Sequence, residues 1–246
     1  MKTKIEWTEA TWNPTVGCNK ITNGCKNCYA EVMAHRLQAM GVHGYENGFE
    51  FTIMPDRLEQ PYKIKKPTKF FVNSMSDLFH EKISYAYLDS IFEVMKNTPR
   101  HTYQVLTKRE KIMADYLKDK KIPHNIWLGV TVEDVSTKGR IDYLRDIQAD
   151  IKFISMEPLL EDLGKLDLTN IHWVIVGGES GAKARPMEED WALNIKKQCS
   201  QQNIAFFFKQ WGTWGSDGVR RNKKNNGRKL NGKIYDEYPQ IEFSLG

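Results

Sequence analysis

Three cysteines close together in the sequence are the residues best suited to chemistry. They are spaced Cys18-x6-Cys25-x2-Cys28, whereas the fourth cysteine, Cys199, lies far downstream in a helical stretch. Three clustered thiols cannot pair off among themselves, and no feature of the chain indicates secretion, so we do not expect a disulfide framework. Clustered thiolates are typical ligands of zinc and of iron–sulfur centres. Cys199 is expected to be a buried small residue.

Two metal centres fit this spacing. Structural zinc takes four ligands, and His35 lies seven residues after Cys28, on the same face if that segment is helical, so a Cys3His zinc site is one alternative. The other is a four-iron cluster held by Cys18, Cys25 and Cys28, with one iron open to a substrate or cofactor. The spacing alone is compatible with both.

The elements that position these thiols are β-rich runs alternating with helical stretches. Strands are predicted near residues 15–17, 69–74, 102–107, 126–132, 151–155, 172–176 and 204–208, and helices near 29–40, 85–97, 109–118, 137–146 and 188–201. The strands are nearly continuous apolar runs, as expected of parallel strands covered on both faces. This alternation predicts an α/β fold with a complete or partial parallel β/α barrel of the TIM type.

The length of 246 residues suits one large domain. Residues 1–212 are predicted to form the barrel, with an insertion at about 41–66, and residues 213–246 a basic extension packed on or beside it. The mean hydropathy is −0.58, and no apolar run approaches the ~18 residues of a membrane helix. The N-terminal segment lacks the apolar stretch of a signal peptide. We therefore expect a soluble cytoplasmic protein without a membrane partner.

The net charge of +5 is concentrated in one segment. Residues 219–233 hold seven bases and no acid, which leaves 29 basic and 31 acidic residues elsewhere. With Trp211 and Trp214, this segment combines aromatic rings and cations, as single-strand nucleic-acid-binding proteins do. A solvated loop is the alternative. The bases predicted to bind nucleic acid are Arg220, Arg221, Lys223, Lys224, Arg228 and Lys229.

Polar residues follow each predicted strand on its carboxyl side. They are Cys18, residues 73–77, residues 107–109, Thr131 with Glu133 and Asp134, Ser155 with Glu157, residues 177–180, and Lys209 with Gln210. In β/α barrels the active site is assembled from these ends. Seven consecutive strands ending this way predict one shared polar site.

Several motifs in order closely resemble one family. Beside the cysteine loop and Tyr29-Ala30-Glu31, they are FVNSMSDLFH (71–80), VLTKR (105–109), WLGVTVE (127–133), SMEPLL (155–160), WVIVGGESG (173–181) and FFFKQWG (206–212). The chain resembles the phage-associated three-cysteine-motif proteins, which are related to the radical S-adenosylmethionine (SAM) enzymes. The resemblance covers nearly the whole chain.

The resemblance implies a radical-SAM-like enzyme with a [4Fe-4S] cluster on Cys18, Cys25 and Cys28, SAM as cofactor and an external electron donor. The usual superfamily motif is C-x3-C-x2-C, whereas the first gap here is six residues. Ser76 and Asp77 occupy the strand end where the superfamily usually has Gly-Gly-Glu, and they are expected to help hold SAM. Glu157, Gly177, Gly178 and Glu179 are expected to complete the cofactor pocket, and Lys108, Glu133, Lys209 and Gln210 to face the substrate.

The leading hypothesis is reductive cleavage of SAM, with a nucleic acid or nucleotide as substrate in base modification or repair. It is motivated by the basic segment and by the phage association of the resembling family. The main alternative is a zinc-stabilised Cys3His protein that binds nucleic acid or a partner without SAM chemistry. A third hypothesis is a cluster-bearing protein that has lost SAM chemistry and serves as a partner or sensor. A partner protein that completes the site is also considered.

Overall fold

The computed structural model describes residues 3–240 and contains nine strands in that range. They are β1 (Ala10–Trp12), β2 (Thr15–Val16), β3 (Thr52–Ile53), β4 (Lys69–Val72), β5 (Thr102–Thr107), β6 (Ile126–Thr131), β7 (Ile151–Met156), β8 (Trp173–Gly177) and β9 (Ala205–Gln210). The helices are α1 (Tyr29–Ala39), α2 (Gln60–Lys63), α3 (Tyr85–Lys96), α4 (Glu110–Leu117), α5 (Arg140–Asp146), α6 (Glu189–Gln201) and α7 (Lys223–Asn226).

Seven parallel strands form one sheet in the order β1-β4-β5-β6-β7-β8-β9. Every residue of β6, β7 and β8 is buried, which explains their continuous apolar sequences. Within the described range β1 and β9 remain edge strands and do not pair with each other. The predicted α/β fold is therefore confirmed in its partial form, an open parallel half-barrel.

The first strand lies earlier in the chain than predicted. The sheet begins with β1, whose Ala10 pairs with Phe70, whereas β2 pairs antiparallel with β3 in a separate two-stranded sheet. Pro14 separates β1 from β2, and because proline lacks a backbone N–H it does not continue a strand's hydrogen-bond ladder. Trp12 is held in β1 by a 2.8 Å hydrogen bond from its Nε1 to the Arg57 carbonyl.

The two faces of the sheet bury different side chains. The face that contacts the helices is mainly aliphatic and includes Leu128, Val130 and Val174. The opposite face carries a compact cluster of large aromatic side chains, namely Trp7, Phe71, Trp127, Phe153, Trp173 and Phe207. The rings of Trp7 and Phe71 lie 4.7 Å apart between centroids. This aromatic layer forms the floor on which the candidate site is built.

Residues 235–237, within the predicted basic extension, hydrogen-bond to the last two strands. Phe208 N donates to the Tyr235 carbonyl at 2.9 Å, and Trp173 Nε1 donates to the Glu237 carbonyl at 2.8 Å. The final part of that extension, residues 241–246, lies outside the described residues. Over the described range, every helix is too short or too polar to cross a bilayer.

Candidate active site

A cavity of about 430 Å³ lies at the carboxyl ends of the strands, where the sequence predicts the site. Its apolar floor includes Trp7, Phe71 and Leu106. Of the predicted site residues, those that line it are Cys18, Cys25, Cys28, Ser76, Asp77, Lys108, Glu157, Gly178, Glu179, Lys209, Gln210 and Lys223. Thr131 at the end of β6 lines the cavity too, so residues from six different strand ends meet the cysteine loop in one space.

Local backbone geometry brings the cysteines to this cavity. Gly17 has a φ of +74°, and a Cβ there would lie 2.0 Å from the Glu50 carbonyl oxygen, so only glycine fits before Cys18. Cys25 ends a short 3-10 turn, and Cys28 immediately precedes α1. All three cysteines therefore line the same cavity.

The donor set fits an iron–sulfur cluster better than zinc. All three cysteines are free, but among residues 3–240 no three His, Cys, Asp or Glu side chains converge closely enough for a single metal ion. The predicted Cys3His set is not assembled, because His35 is exposed on α1 beside Gly48 and does not line the cavity. In a four-iron cluster each thiolate binds a different iron, so the three thiols need only surround one cluster-sized space instead of meeting at a single ion.

Burial raises the pKa of two of the three cysteine thiols, those of Cys18 and Cys28. Burial, with a further contribution from Asp77, raises the pKa of Cys18 to about 11 despite the opposing effect of Arg109. Burial also raises the pKa of Cys28, although the amides of Glu31 and Ala30 oppose this shift. A bound metal requires thiolates, so loading of this site is coupled to proton release.

Asp77 is fully occupied by protein donors. Its Oδ1 accepts from Thr107 Oγ1 at 2.6 Å and from Phe79 N at 3.0 Å. Its Oδ2 accepts from Lys108 N at 3.0 Å and from Arg109 Nη1 at 3.2 Å. Four donors match the roughly four lone-pair sites of a carboxylate. Asp77 therefore fixes the β5 terminus and Arg109, and a SAM ammonium group would have to share an occupied oxygen.

Arg109 connects this carboxylate to the cysteine loop. Its Nη1 lies 3.6 Å from Cys18 Sγ, and its Nε donates to Glu81 Oε2 at 3.0 Å. Ser76, which is also predicted to hold SAM, donates from Oγ to the Gly17 carbonyl at 2.7 Å and accepts from Thr15 Oγ1 at 3.0 Å. Both side chains thus support the backbone around Cys18 as well as lining the cavity.

Glu133 lies beneath the cavity and does not line it, in contrast to its expected position facing the substrate. Its side chain is fully buried and is paired with Lys108 Nζ and, at 2.7 Å, with Arg140 Nη1. Thr22 Oγ1 donates to Glu133 Oε1 at 2.6 Å and lies 3.6 Å from Cys25 Sγ. Burial raises the pKa of Glu133, but the two cations outweigh it and the net pKa is lowered. Glu133 thus anchors the part of the cysteine loop that precedes Cys25.

Glu179 anchors the part of the cysteine loop between Cys25 and Cys28 in the same way. Its Oε1 accepts from Arg185 Nη2 at 2.6 Å, and its Oε2 accepts from Asn27 Nδ2 at 3.0 Å. Burial raises the pKa of Glu179, but the hydrogen bonds from Arg185 and Asn27 and the charge of Arg185 together outweigh it, so the net pKa is lowered. Arg185 also donates to the Asn23 carbonyl at 3.0 Å, so Arg185 and Glu179 together hold the loop at Asn23 and at Asn27.

The glycines of the late Gly-Gly-Glu stretch pack against the protein itself. A Cβ on Gly178 would lie 2.0 Å from the Trp211 carbonyl oxygen, and one on Gly177 would lie 2.7 Å from Glu157 Oε1. The space freed by the missing side chains is therefore already filled. Gly178 still lines the cavity, whereas Gly177 does not.

Glu157, Lys209 and Gln210 offer polar groups to a ligand. Lys209 Nζ lies 2.9 Å from Glu157 Oε1, and Ser155 Oγ donates to Glu157 Oε2 at 3.2 Å. Gln210 Nε2 donates to Ser180 Oγ at 3.1 Å, while its buried Oε1 has no hydrogen-bond partner among the described residues. Glu157 retains free acceptor capacity, because two donors occupy about half of its lone-pair sites.

The six predicted nucleic-acid-binding bases differ in their surroundings. Arg221 is paired with Asp217 at 2.6 Å, and Lys223 lines the cavity and lies 3.6 Å from Glu6 Oε1. Arg228 is half-buried over the Phe207 ring and donates to the Lys209 carbonyl at 3.1 Å. The remaining three, Arg220, Lys224 and Lys229, are exposed and form no ion pair within residues 3–240.

The loop anchors Thr22, Asn27 and Arg140 were not identified from the sequence. Thr22 contacts Glu133 across 111 residues, and Asn27 contacts Glu179 across 152 residues. The only signal was the presence of small polar residues between cysteines, which is common in any loop.

Comparisons with solved structures identify a fold relative. Spore photoproduct lyase complexed with dinucleoside spore photoproduct is 14% identical with a TM-score of 0.51, over 82% of this chain and 63% of the lyase. A variant with bound AdoMet and the same dinucleoside gives 14% identity and a TM-score of 0.50 over the same shares of the two chains. A further variant gives 14% identity and a TM-score of 0.54 over 94% of this chain and 73% of the lyase.

This likeness establishes the fold, and the chain spans about 63% of the length of the first lyase structure. No curated protein is significantly similar to this sequence. A family model, however, matches almost the entire chain, from residue 2 to residue 239. On that match, the chain belongs to the family described as "Protein of unknown function (DUF5131)".

Proposed function

We propose that this protein is an iron–sulfur enzyme that cleaves SAM reductively and acts on a nucleic acid or nucleotide in base modification or repair. The observation that carries the proposal is the meeting of Cys18, Cys25 and Cys28 in one cavity at the carboxyl ends of a parallel half-barrel. A lyase with the same fold has been solved with AdoMet and a dinucleoside, which supports this choice of cofactor and substrate class. Membership of the phage-associated three-cysteine family stays a prediction.

In this proposal Cys18, Cys25 and Cys28 hold a [4Fe-4S] cluster. When bound, the cluster supplies the site for the SAM amino and carboxylate groups and the electron that cleaves the sulfonium. Glu157 accepts hydrogen bonds from the ribose hydroxyls, held in orientation by Lys209 and Ser155. The role of the protein in this proposal is to bind the cluster and SAM and to orient them.

The remaining cavity residues divide into two roles. Lys108 and Glu133 stabilise the cysteine loop through their ion pair, so we place Glu133 among the positioning residues. Gln210 is placed at the substrate, because its Oε1 has no partner within the described chain. The floor formed by Trp7, Phe71 and Leu106 is apolar and keeps water away from the reacting groups.

An external one-electron donor and a cytoplasmic location belong to the same proposal. Free thiols are kept reduced in the cytosol, and all four cysteines are free. A reduced environment is what an iron–sulfur enzyme with an open coordination site requires.

The substrate class is tested through the three exposed bases Arg220, Lys224 and Lys229. Replacing all three by glutamine is expected to weaken single-stranded DNA binding about tenfold at low salt and to reduce the salt dependence, the slope of log K against log[salt], by about 2. Fluorescence anisotropy with a labelled oligonucleotide at several salt concentrations measures both quantities.

Three other exposed lysines provide a matched control. Lys63, Lys65 and Lys66 precede β4 and therefore lie toward the amino ends of the strands, away from the cavity. Replacing them by glutamine removes the same charge and is expected to leave most of the affinity. An equal loss of affinity in both triple variants would show that DNA binding depends only on the net charge of the protein. Unchanged affinity in the variant of Arg220, Lys224 and Lys229 would show that the basic segment does not contact the substrate.

A further inference from the structure

Helix α1 exposes large apolar side chains and buries small ones. Tyr29, Val32, Met33 and Met40 are exposed by 55%, 53%, 41% and 73%, whereas the buried residues of the helix are Ala30 and Ala34. Tyr29, Met33, Arg36 and Met40 lie at positions i, i+4, i+7 and i+11, so they form one stripe, with Val32 beside it. Amphipathic surface helices normally have the opposite arrangement. We call these five residues the α1 stripe.

The α1 stripe is part of a local concentration of exposed apolar residues. Five of the eleven large apolar side chains exposed in the described chain lie between residues 21 and 40, namely Ile21 and the four in the stripe. The combination of Tyr, Met and Arg is typical of protein–protein interface cores, where these residues are enriched. Contiguous apolar surface of this kind marks an interaction site.

The stripe is continuous with the candidate active site. Helix α1 begins directly after Cys28, and Val32 N lies 3.4 Å from the Cys28 carbonyl oxygen, so the two residues are one helical turn apart. Tyr29 belongs both to the stripe and to the cavity wall. A protein bound to the stripe would therefore lie against the wall that carries the third cysteine.

The charge around the stripe favours an acidic occupant. The stripe itself carries one base, Arg36, and no acid, whereas Glu31 and its partner Lys20, 2.7 Å apart, lie on the other side of α1. A second copy of the chain would place two such basic faces together. A nucleic acid would match the charge but would leave the apolar side chains without an apolar partner.

We infer that the α1 stripe is the docking surface for an acidic one-electron carrier protein. The inference rests on the proposed function, because reductive cleavage of SAM requires an electron from outside the chain. In the transfer the carrier loses one electron and the cluster gains it, and no covalent bond forms or breaks. Electron-transfer encounters use small, transient interfaces, and one exposed helical face beside a redox centre suits them.

The test is calorimetric titration of the full chain, as purified, with an acidic flavodoxin. Met33→Glu and Arg36→Glu are each expected to weaken binding about tenfold, because they place negative charge on a face that meets an acidic partner. Gln38→Glu adds the same charge as Met33→Glu on the opposite face of α1 and is expected to change affinity less than about twofold. Circular dichroism verifies that each variant keeps its helix content.

Binding does not depend on iron, so failure of this inference is distinct from failure of the proposed function. Native affinity in Met33→Glu and Arg36→Glu, or no flavodoxin binding by the native chain, would overturn it. A native dimer that Met33→Glu dissociates in sedimentation would also overturn it, because the face would then bind a second copy. Loss of DNA affinity in Met33→Glu would overturn it too, because the face would then bind the substrate. Selective loss of flavodoxin binding with reduction by dithionite unchanged would support it.

Discussion

Cys25→Ala is expected to reduce the iron content of anaerobically purified protein from about four atoms per chain to fewer than about one. Only three cysteines line the cavity, and His35 is not placed to substitute for a missing thiolate. With two thiolates left, the cluster has no stable attachment. The measurement is colorimetric iron and sulfide analysis together with the visible absorption spectrum.

Cys199→Ala is the matched control for this loss. Cys199 is fully buried in α6 and packs in the main core, so its removal changes the thiol count without touching the cavity. Iron content is expected to stay at the native level in this variant. Equal iron in Cys25→Ala and native protein would refute a cluster on the cysteine loop, and loss in both variants would point to a general folding defect.

Glu133→Ala is expected to lower the free energy of unfolding by about 3–5 kcal/mol. The substitution leaves Arg140, with a side chain only 6% exposed, and Lys108 without their buried counter-ion. It also removes the acceptor of Thr22, which holds the loop at Cys25. Urea denaturation at neutral pH measures the change.

Glu110→Ala is the matched control, because Glu110 also pairs with Arg140, at 3.1 Å. Arg140 keeps Glu133 in that variant, so the expected loss is at most about 2 kcal/mol. Equal losses for the two substitutions would show that Glu133 has no special role beneath the loop.

The effect of Glu133 also depends on pH in a defined direction. Its folded pKa is lowered from the usual 4.5, so the stabilisation is fully present above that value and is lost as the pH falls through the folded pKa. The difference in unfolding free energy between native protein and Glu133→Ala should therefore be largest near neutral pH and shrink in acid. A difference that grows in acid would contradict the ion-pair account.

Much of the fold was predictable because parallel strands buried on both faces have continuous apolar sequences. Strands β6 and β7, in which every residue is buried, follow that rule closely. The predicted position of the first strand was wrong because β1 is only three residues long and includes Thr11 in a half-polar segment. Whether the sheet closes also depends on the pairing of β1 and β9, which local patterns do not specify.

The location of the site was predictable, whereas the partners of its side chains were not. Carboxyl ends of parallel strands meet at one edge, so Asp77, Glu157 and Lys209 were expected in one place. Which carboxylate meets which cation depends on distant tertiary contacts, such as Glu179 with Asn27 across 152 residues. Sequence position alone therefore could not distinguish Glu157, which lines the cavity, from Glu133, which anchors the cysteine loop.

The most direct test of the central claim is incubation of the anaerobically purified protein with SAM and dithionite, followed by mass spectrometric quantification of the products. We expect 5′-deoxyadenosine and methionine in equal amounts, and neither product from Cys25→Ala. Intact SAM in the presence of a fully loaded iron–sulfur cluster would contradict the claim and favour a cluster-bearing partner or sensor. A colourless protein with about one zinc per chain would contradict it as well and favour a zinc-stabilised binding protein.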